Sequence, residues 1–100
     1  MTLSNDDKKH LRRLGHNLKP VATVASKGLS ESVLAEIDRA LNDHELIKVK
    51  LAVGNSDAKR QATEIICEKL YADVVQSIGH IVLLLRKAKK PNAKLSNLLR

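Results

Sequence analysis

One hundred residues suit a single domain, and an apolar share of 43% is too high for a disordered chain. Tyr71 is the only aromatic residue, which leaves an aliphatic core and excludes a base-stacking platform of the kind single-strand readers use. A single cysteine, Cys67, excludes an internal disulfide, and a formal net charge of +7 favours a polyanionic partner.

The first segment carries Ser4 ahead of Asn5, Asp6 and Asp7, an N-cap with acids where the helix dipole favours them. Leu11, Leu14 and Leu18 recur at helical spacing, with Lys8, Lys9, Arg12 and Arg13 on the remaining faces. Gly15 weakens the helix and Pro20 ends it, so a strand is expected over 21–24. A short connection, Ala25-Ser26-Lys27-Gly28, leads to Ser30, the N-cap of a second helix. Leu29 and Leu34 have the spacing of a hydrophobic staple, and Val33, Ile37 and Leu41 form the buried stripe. That helix should fade around Asn42 and Asp43.

The next segment alternates: Ile47, Val49, Leu51 and Val53 against Lys48, Lys50 and Ala52. This predicts a half-buried strand with lysines on its second face. Gly54 and Asn55 mark a turn, and Ser56 and Asp57 open a third helix with Ala62, Ile65, Ile66 and Leu70 on its apolar side. Residues 74–78 read as a strand, Gly79-His80 as a hairpin turn and 81–86 as its partner. The continuous apolar run 81–85 belongs inside the sheet, covered on both faces. The resulting class is α/β, a two-layer domain of order α-β-α-β-α-β-β with a mixed four-stranded sheet. Helical crossovers make the first three strands parallel, and the hairpin makes the last antiparallel. Residues 1–86 form the domain; residues 87–100, without pattern, are expected to be a basic flexible tail in which Leu95, Leu98 and Leu99 would form one helical turn on a partner.

The charge is unevenly placed: net +4 over 1–28, −3 over 29–85 and +6 over 86–100. No window reads as a signal peptide, and the run 81–85 is too short to span a bilayer, so a soluble cytoplasmic protein with no membrane contact is expected. Catalytic motifs are missing. Cys67 sits in the third helix's pattern beside Ile65 and Ile66, where a cysteine is a small packing residue rather than a nucleophile. His10, His16, His44 and His80 lack ligand spacing. The best metal candidate, Asn42-Asp43-His44-Glu45, reads more simply as a polar turn. No enzyme, cofactor, metal or small-molecule substrate is expected.

The loop 25–28 fits either an ordinary strand-to-helix turn or a phosphate site. Gly28 accommodates positive φ, the following helix N-terminus presents backbone N–H groups, and Lys27 adds charge. The basic first helix, Lys48, Lys50 and the basic tail tip the balance toward binding. Without aromatics, contacts should fall on phosphate and sugar, which describes docking on structured RNA.

The run LKPVATVASKGLSESVLAEIDRALNDHELIKVKL, followed by VVQSIGHIVLLLRK, resembles bacterial YhbY-type proteins, which are stand-alone CRM (chloroplast RNA splicing and ribosome maturation) domains. The resemblance spans residues 2–90. Its most specific pieces are Lys19-Pro20, Gly28-Leu29-Ser30 and the stretch from His44 to Lys50. It implies a fold similar to the C-terminal domain of bacterial translation initiation factor three. It also implies RNA binding, association with large-subunit ribosomal precursors and a role in ribosome assembly. The family's G-x-x-G loop maps onto Ala25, Ser26, Lys27 and Gly28, with alanine in place of the first glycine. The RNA-binding residues expected are therefore Ala25, Ser26, Lys27, Gly28, Lys8, Lys9, Arg12, Arg13, Lys19, Lys48 and Lys50. The competing readings are a protein-interaction module, acting through the acidic middle segment or the leucine turn, and a general nucleic-acid binder.

Overall fold

The computed structural model describes residues 3–25 and 28–98. Its elements are α1 (Asn5–Gly15), β1 (Pro20–Val24), α2 (Glu31–His44), β2 (Leu46–Leu51), α3 (Ser56–Leu70), β3 (Asp73–Ile78) and β4 (Ile81–Leu85). Each helix begins where a short polar side chain replaces a missing backbone acceptor. Ser4 Oγ accepts from the Asp7 amide at 3.1 Å while the Asp7 carboxylate accepts from the Ser4 amide at 3.3 Å, a reciprocal capping box. Ser30 Oγ accepts from the Val33 amide at 3.2 Å, and Asn55 Oδ1 from the Ala58 amide at 2.8 Å.

The sheet order is β1-β2-β4-β3. β1 runs parallel to β2, and β4 is antiparallel to both β2 and β3, so β1, β2 and β3 share one direction. The expected placement of the 81–85 run holds: β4 lies between two neighbours, with Val82, Leu83, Leu84 and Leu85 all buried. Pro20 opens β1, an edge strand, where a residue without an N–H is tolerated.

Because β4 is apolar on both faces, both faces need cover. α2 and α3 form the expected second layer, burying Ile37, Leu41 and Ile66 against Val24, Ile47, Val49 and Leu84. α1 packs on the opposite face, where Leu11 joins Leu46, Val75, Leu83 and Leu85 in a smaller cluster. Leu46 is fully buried on this α1 side, one residue before the alternation read in the sequence. α1 and the sheet meet closely at Gly15: a Cβ there would lie 2.8 Å from both Leu83 methyl carbons.

The segment after Arg86, expected as a tail without pattern, returns to the α2–β2 junction. Glu45, the C-cap of α2 at φ 61°, is 3% exposed. Its carboxylate accepts from Ser96 Oγ at 2.7 Å and from the Ala88 amide at 2.8 Å. His44 Nδ1 donates to the Leu95 carbonyl at 2.9 Å, and Asn97 Nδ2 to the Leu46 carbonyl at 2.6 Å. Leu98 packs onto the α1-side cluster, so this part of the leucine turn covers its own domain; Leu99 lies outside the described residues. His44 and Glu45, considered for metal binding, are thereby engaged in holding the chain's own C-terminal segment. Periodicity carried no trace of this, because the partners are about fifty residues apart and irregular.

Candidate nucleic-acid interface

Parallel β1 and β2 end together, so the connections that follow them lie at one end of the sheet. The Ala52 amide donates to the Val24 carbonyl at 2.8 Å, and the Leu51 amide donates to the His80 carbonyl at 2.6 Å, which brings the hairpin turn to the same end. Ala25 and Gly28 meet there, the Gly28 amide donating to the Ala25 carbonyl at 2.8 Å. Gly28 has φ +86°, a left-handed conformation that explains why glycine stands at this position, since a Cβ there would otherwise meet open space. Ala25 is different: among the described residues only Glu45 and Tyr71 combine a side chain with positive φ. Alanine at the first loop position therefore carries no left-handed strain. Ser26 and Lys27 lie outside the described residues.

Two local features oppose an anion at this loop. The Gly28 amide is already spent on Ala25, and Glu31 places a carboxylate in the first turn of α2. The first-turn amides of Glu31 and Ser32 have no intrahelical acceptor, as in any helix, while that of Val33 is capped by Ser30. Gly28 opens onto the α2–α3 side of the sheet, into a groove with Leu34, Val53 and Ile65.

The denser positive surface lies on the other face. Lys9, Arg12, Arg13 and His16 fall at i, i+3, i+4 and i+7 of α1 and its C-cap, one continuous stripe. With Gln76 and Ile78 of β3 they line an open depression of about 500 Å³. A second hollow of about 190 Å³, lined by Lys48, Gln76, Ile78, Ile81 and Leu83, shares Gln76 and Ile78 with it. The sheet register accounts for this meeting. Lys48 pairs with Leu83, which pairs with Gln76, so all three side chains point to the α1 face. Lys48 Nζ donates to the His16 carbonyl at 3.2 Å, a cation on the negative end of α1. Lys50, exposed, extends the same face toward the loop end, beside Thr23.

Of the residues read from the sequence, Lys9, Arg12, Arg13 and Lys48 come together. Lys50 stands next to them along β2. Lys8 is half-buried at the edge of the stripe, and Lys19 is exposed at the entry to β1, outside both hollows. Among the described residues none of these cations pairs with a carboxylate; the two ion pairs are Arg60–Asp57 and Arg86–Asp38. His16, Gln76 and Ile78 escaped sequence reading. For Gln76 and Ile78 the reason is a β-bulge between Val74 and Gln76, which breaks the alternation that would have assigned them a face; His16 reads in the sequence only as a histidine without metal-ligand spacing. Arg86 is structural: its guanidinium donates to the Asp38 carboxylate at 2.7 Å and to the Leu70 carbonyl, the Asp38 carbonyl and Asn42 Oδ1, each at 2.9 Å. Cys67 is half-buried in α3, and burial, followed by the nearby Asp73 carboxylate, pushes its thiol pKa up, which suits a packing residue.

Comparison with known proteins adds four findings. The CRS1/YhbY (CRM) domain model matches residues 3–86. A probable RNA-binding protein of Pseudomonas aeruginosa is 52% identical over 100 residues, covering 100% of this chain and 96% of the relative. An RNA-binding protein of Haemophilus influenzae is 44% identical over 94 residues, covering 94% and 95%. The solution structure of the Staphylococcus aureus protein SAV1595 superimposes with a TM-score of 0.78 at 32% identity, covering 89% of this chain and 93% of that one.

Proposed function

Since the chain belongs to the CRS1/YhbY (CRM) domain family, we propose that it is a non-catalytic RNA-binding protein whose main contact is the α1 face of the sheet. The observation that carries this reading is the stripe Lys9, Arg12, Arg13 and His16 running into Lys48 and Lys50, without a carboxylate partner among the described residues. A surface of cations with no aromatic platform takes hold of phosphates and reads shape. The loop 25–28, with Ala25, Ser26, Lys27 and Gly28, is a second and weaker contact that relies on the charge of Lys27, because the Gly28 amide is taken and Glu31 stands in the first turn of α2. Lys8 and Lys19 stand at the margins. Relatives named as an RNA-binding protein and a probable RNA-binding protein support the coarse reading. The finer one, docking on ribosomal RNA of large-subunit precursors in the cytoplasm to assist assembly, rests on the family resemblance.

Binding to a structured RNA should weaken with salt, and each phosphate contact removed lowers the log–log slope by about 0.7–0.9. Replacing Arg12 and Arg13 together by Ala should lower it by about 1.5 and Lys27→Ala by about 1. Unchanged slopes in the double variant would remove α1 from the interface. Crosslinking in cells tests the target: recovery of large-subunit precursor RNA is expected, and recovery of mainly messenger or transfer RNA would overturn the assembly role.

A further inference from the structure

The binding surface just described leaves the most basic part of the chain unused. Residues 86–100 carry six cations and no acid. Arg86 is consumed inside the fold, so the lysines at 87, 89, 90 and 94 are what remains among the described residues; all four are exposed and none pairs with a carboxylate. This segment is tied down. Both Glu45 oxygens are occupied by it, through Ser96 and Ala88, and Ser96 is wholly buried. The Asn97 amide donates to the His44 carbonyl at 2.9 Å, and its side chain reaches the Leu46 carbonyl. Asn92 Oδ1 accepts from the Lys94 and Leu95 amides at 3.0 and 3.1 Å, ordering the turn between the lysines and the latch. The docked segment runs beside α1, where Lys87 and Leu98 line a cavity of about 230 Å³ with Leu3, Asp7 and His10. α1 is therefore flanked by cations on two sides, by Lys48 on the sheet and by Lys87 on the strap.

We propose that residues 87–98 are a docked basic strap that extends the RNA-binding face past α1, and that Glu45 is the positioning residue that latches it. The proposal rests on the RNA-binding reading and adds a second phosphate-contacting region to it. A buried carboxylate satisfied on both oxygens fixes the direction in which the strap leaves the domain. Fixing four lysines in place removes the ordering cost that a free polycation meets on binding. Phosphate is the chemistry that such a surface recognises, since it offers no aromatic ring among these residues and one charge sign.

The test compares the salt dependence of binding to one structured RNA across full-length variants, each confirmed folded at the assay temperature by circular dichroism. Replacing Lys87, Lys89, Lys90 and Lys94 by Gln should lower the slope by about 2–3. Ser96→Ala, which keeps every charge, should leave the slope nearly unchanged, weaken binding at fixed salt by about fivefold and speed tryptic cleavage at the strap lysines by about tenfold. Asn97→Ala should do the same through an independent latch bond. An unchanged slope in the quadruple variant, with the Arg12/Arg13 variant still impaired, overturns the strap and leaves the RNA reading standing. A fall in slope in the quadruple variant with no loss of affinity in Ser96→Ala and Asn97→Ala overturns the latch, because the lysines would then act as an untethered polycation. Absence of salt-dependent RNA binding by the unaltered protein overturns the functional reading and the strap together.

Discussion

Replacing Glu45 by Gly sets two opposing effects against each other at one residue. Glu45 has φ 61° and ψ −45°, a conformation that costs a residue with a side chain about 1–2 kcal/mol. Glycine would relieve that strain. The same change removes two buried, charge-assisted hydrogen bonds, from Ser96 Oγ at 2.7 Å and the Ala88 amide at 2.8 Å, each worth about 1.5–3 kcal/mol. The bonds outweigh the strain, so Glu45→Gly should destabilise the fold by about 2–4 kcal/mol, on the order of 10–20 °C in Tm for a domain of this size. Glu45→Ala loses the same bonds and keeps the strain, and should be about 1 kcal/mol worse than Gly. Urea unfolding followed by far-UV circular dichroism measures both, as the chain has no tryptophan. A Gly variant as stable as the original would refute the assigned strength of the latch. Equal stability of Gly and Ala would refute the strain.

Arg86→Ala should cost about 2–3 kcal/mol in the same unfolding assay, because one guanidinium joins α2 to the end of α3. Arg86→Lys should recover less than half of that, since an ammonium cannot fork between both helices, and neither change should alter the RNA salt slope. Gly15→Ala gains about 1 kcal/mol of helix propensity but forces Leu83, buried at 2% exposure, off its position. A net loss of about 1 kcal/mol is expected, and the double variant with Leu83→Val should lose less than the two single changes combined. The raised Cys67 pKa means that the folded thiol holds its proton more tightly than the unfolded one. Its contribution to stability is complete below the ordinary thiol value of about 8.5 and is lost as pH rises toward the folded pKa. Melting across that range should show a decline that Cys67→Ser lacks, and thiol alkylation of the native protein should be slow at neutral pH; rapid alkylation there would contradict the burial.

Much of the architecture is legible from local pattern. Ser4 and Ser30 announce the first two helices, the 47–51 alternation assigns the lysines to one face, and the unbroken 81–85 run marks an internal strand. These signals survive because capping and amphipathic spacing depend on residues within one turn or one strand. The cations of α1 were legible as a group for the same reason, and the glycine of the loop was legible from the turn it must make.

Other features have no local signature. Insertion of β4 between β2 and β3 places Lys48 beside Leu83 and Gln76, and so joins a helix stripe to a sheet face that the bulge at Val75 hides from any alternation count. Gly15 reads as a weak helix former, and only the approach of α1 to Leu83 shows that its missing side chain is what the packing needs. Arg86 belongs to a basic run in the sequence but to the α2–α3 junction in the fold. Ser96 and Glu45 are ordinary polar residues fifty-one positions apart until the chain returns and closes a bond between them. The sequence by itself determined the elements, their faces and the charge they carry, because those follow from neighbours along the chain. Which cations gather on one open face, which is a structural staple and where the C-terminal segment lies were decided by the tertiary structure, because burial and hydrogen-bond satisfaction are settled only once distant segments meet.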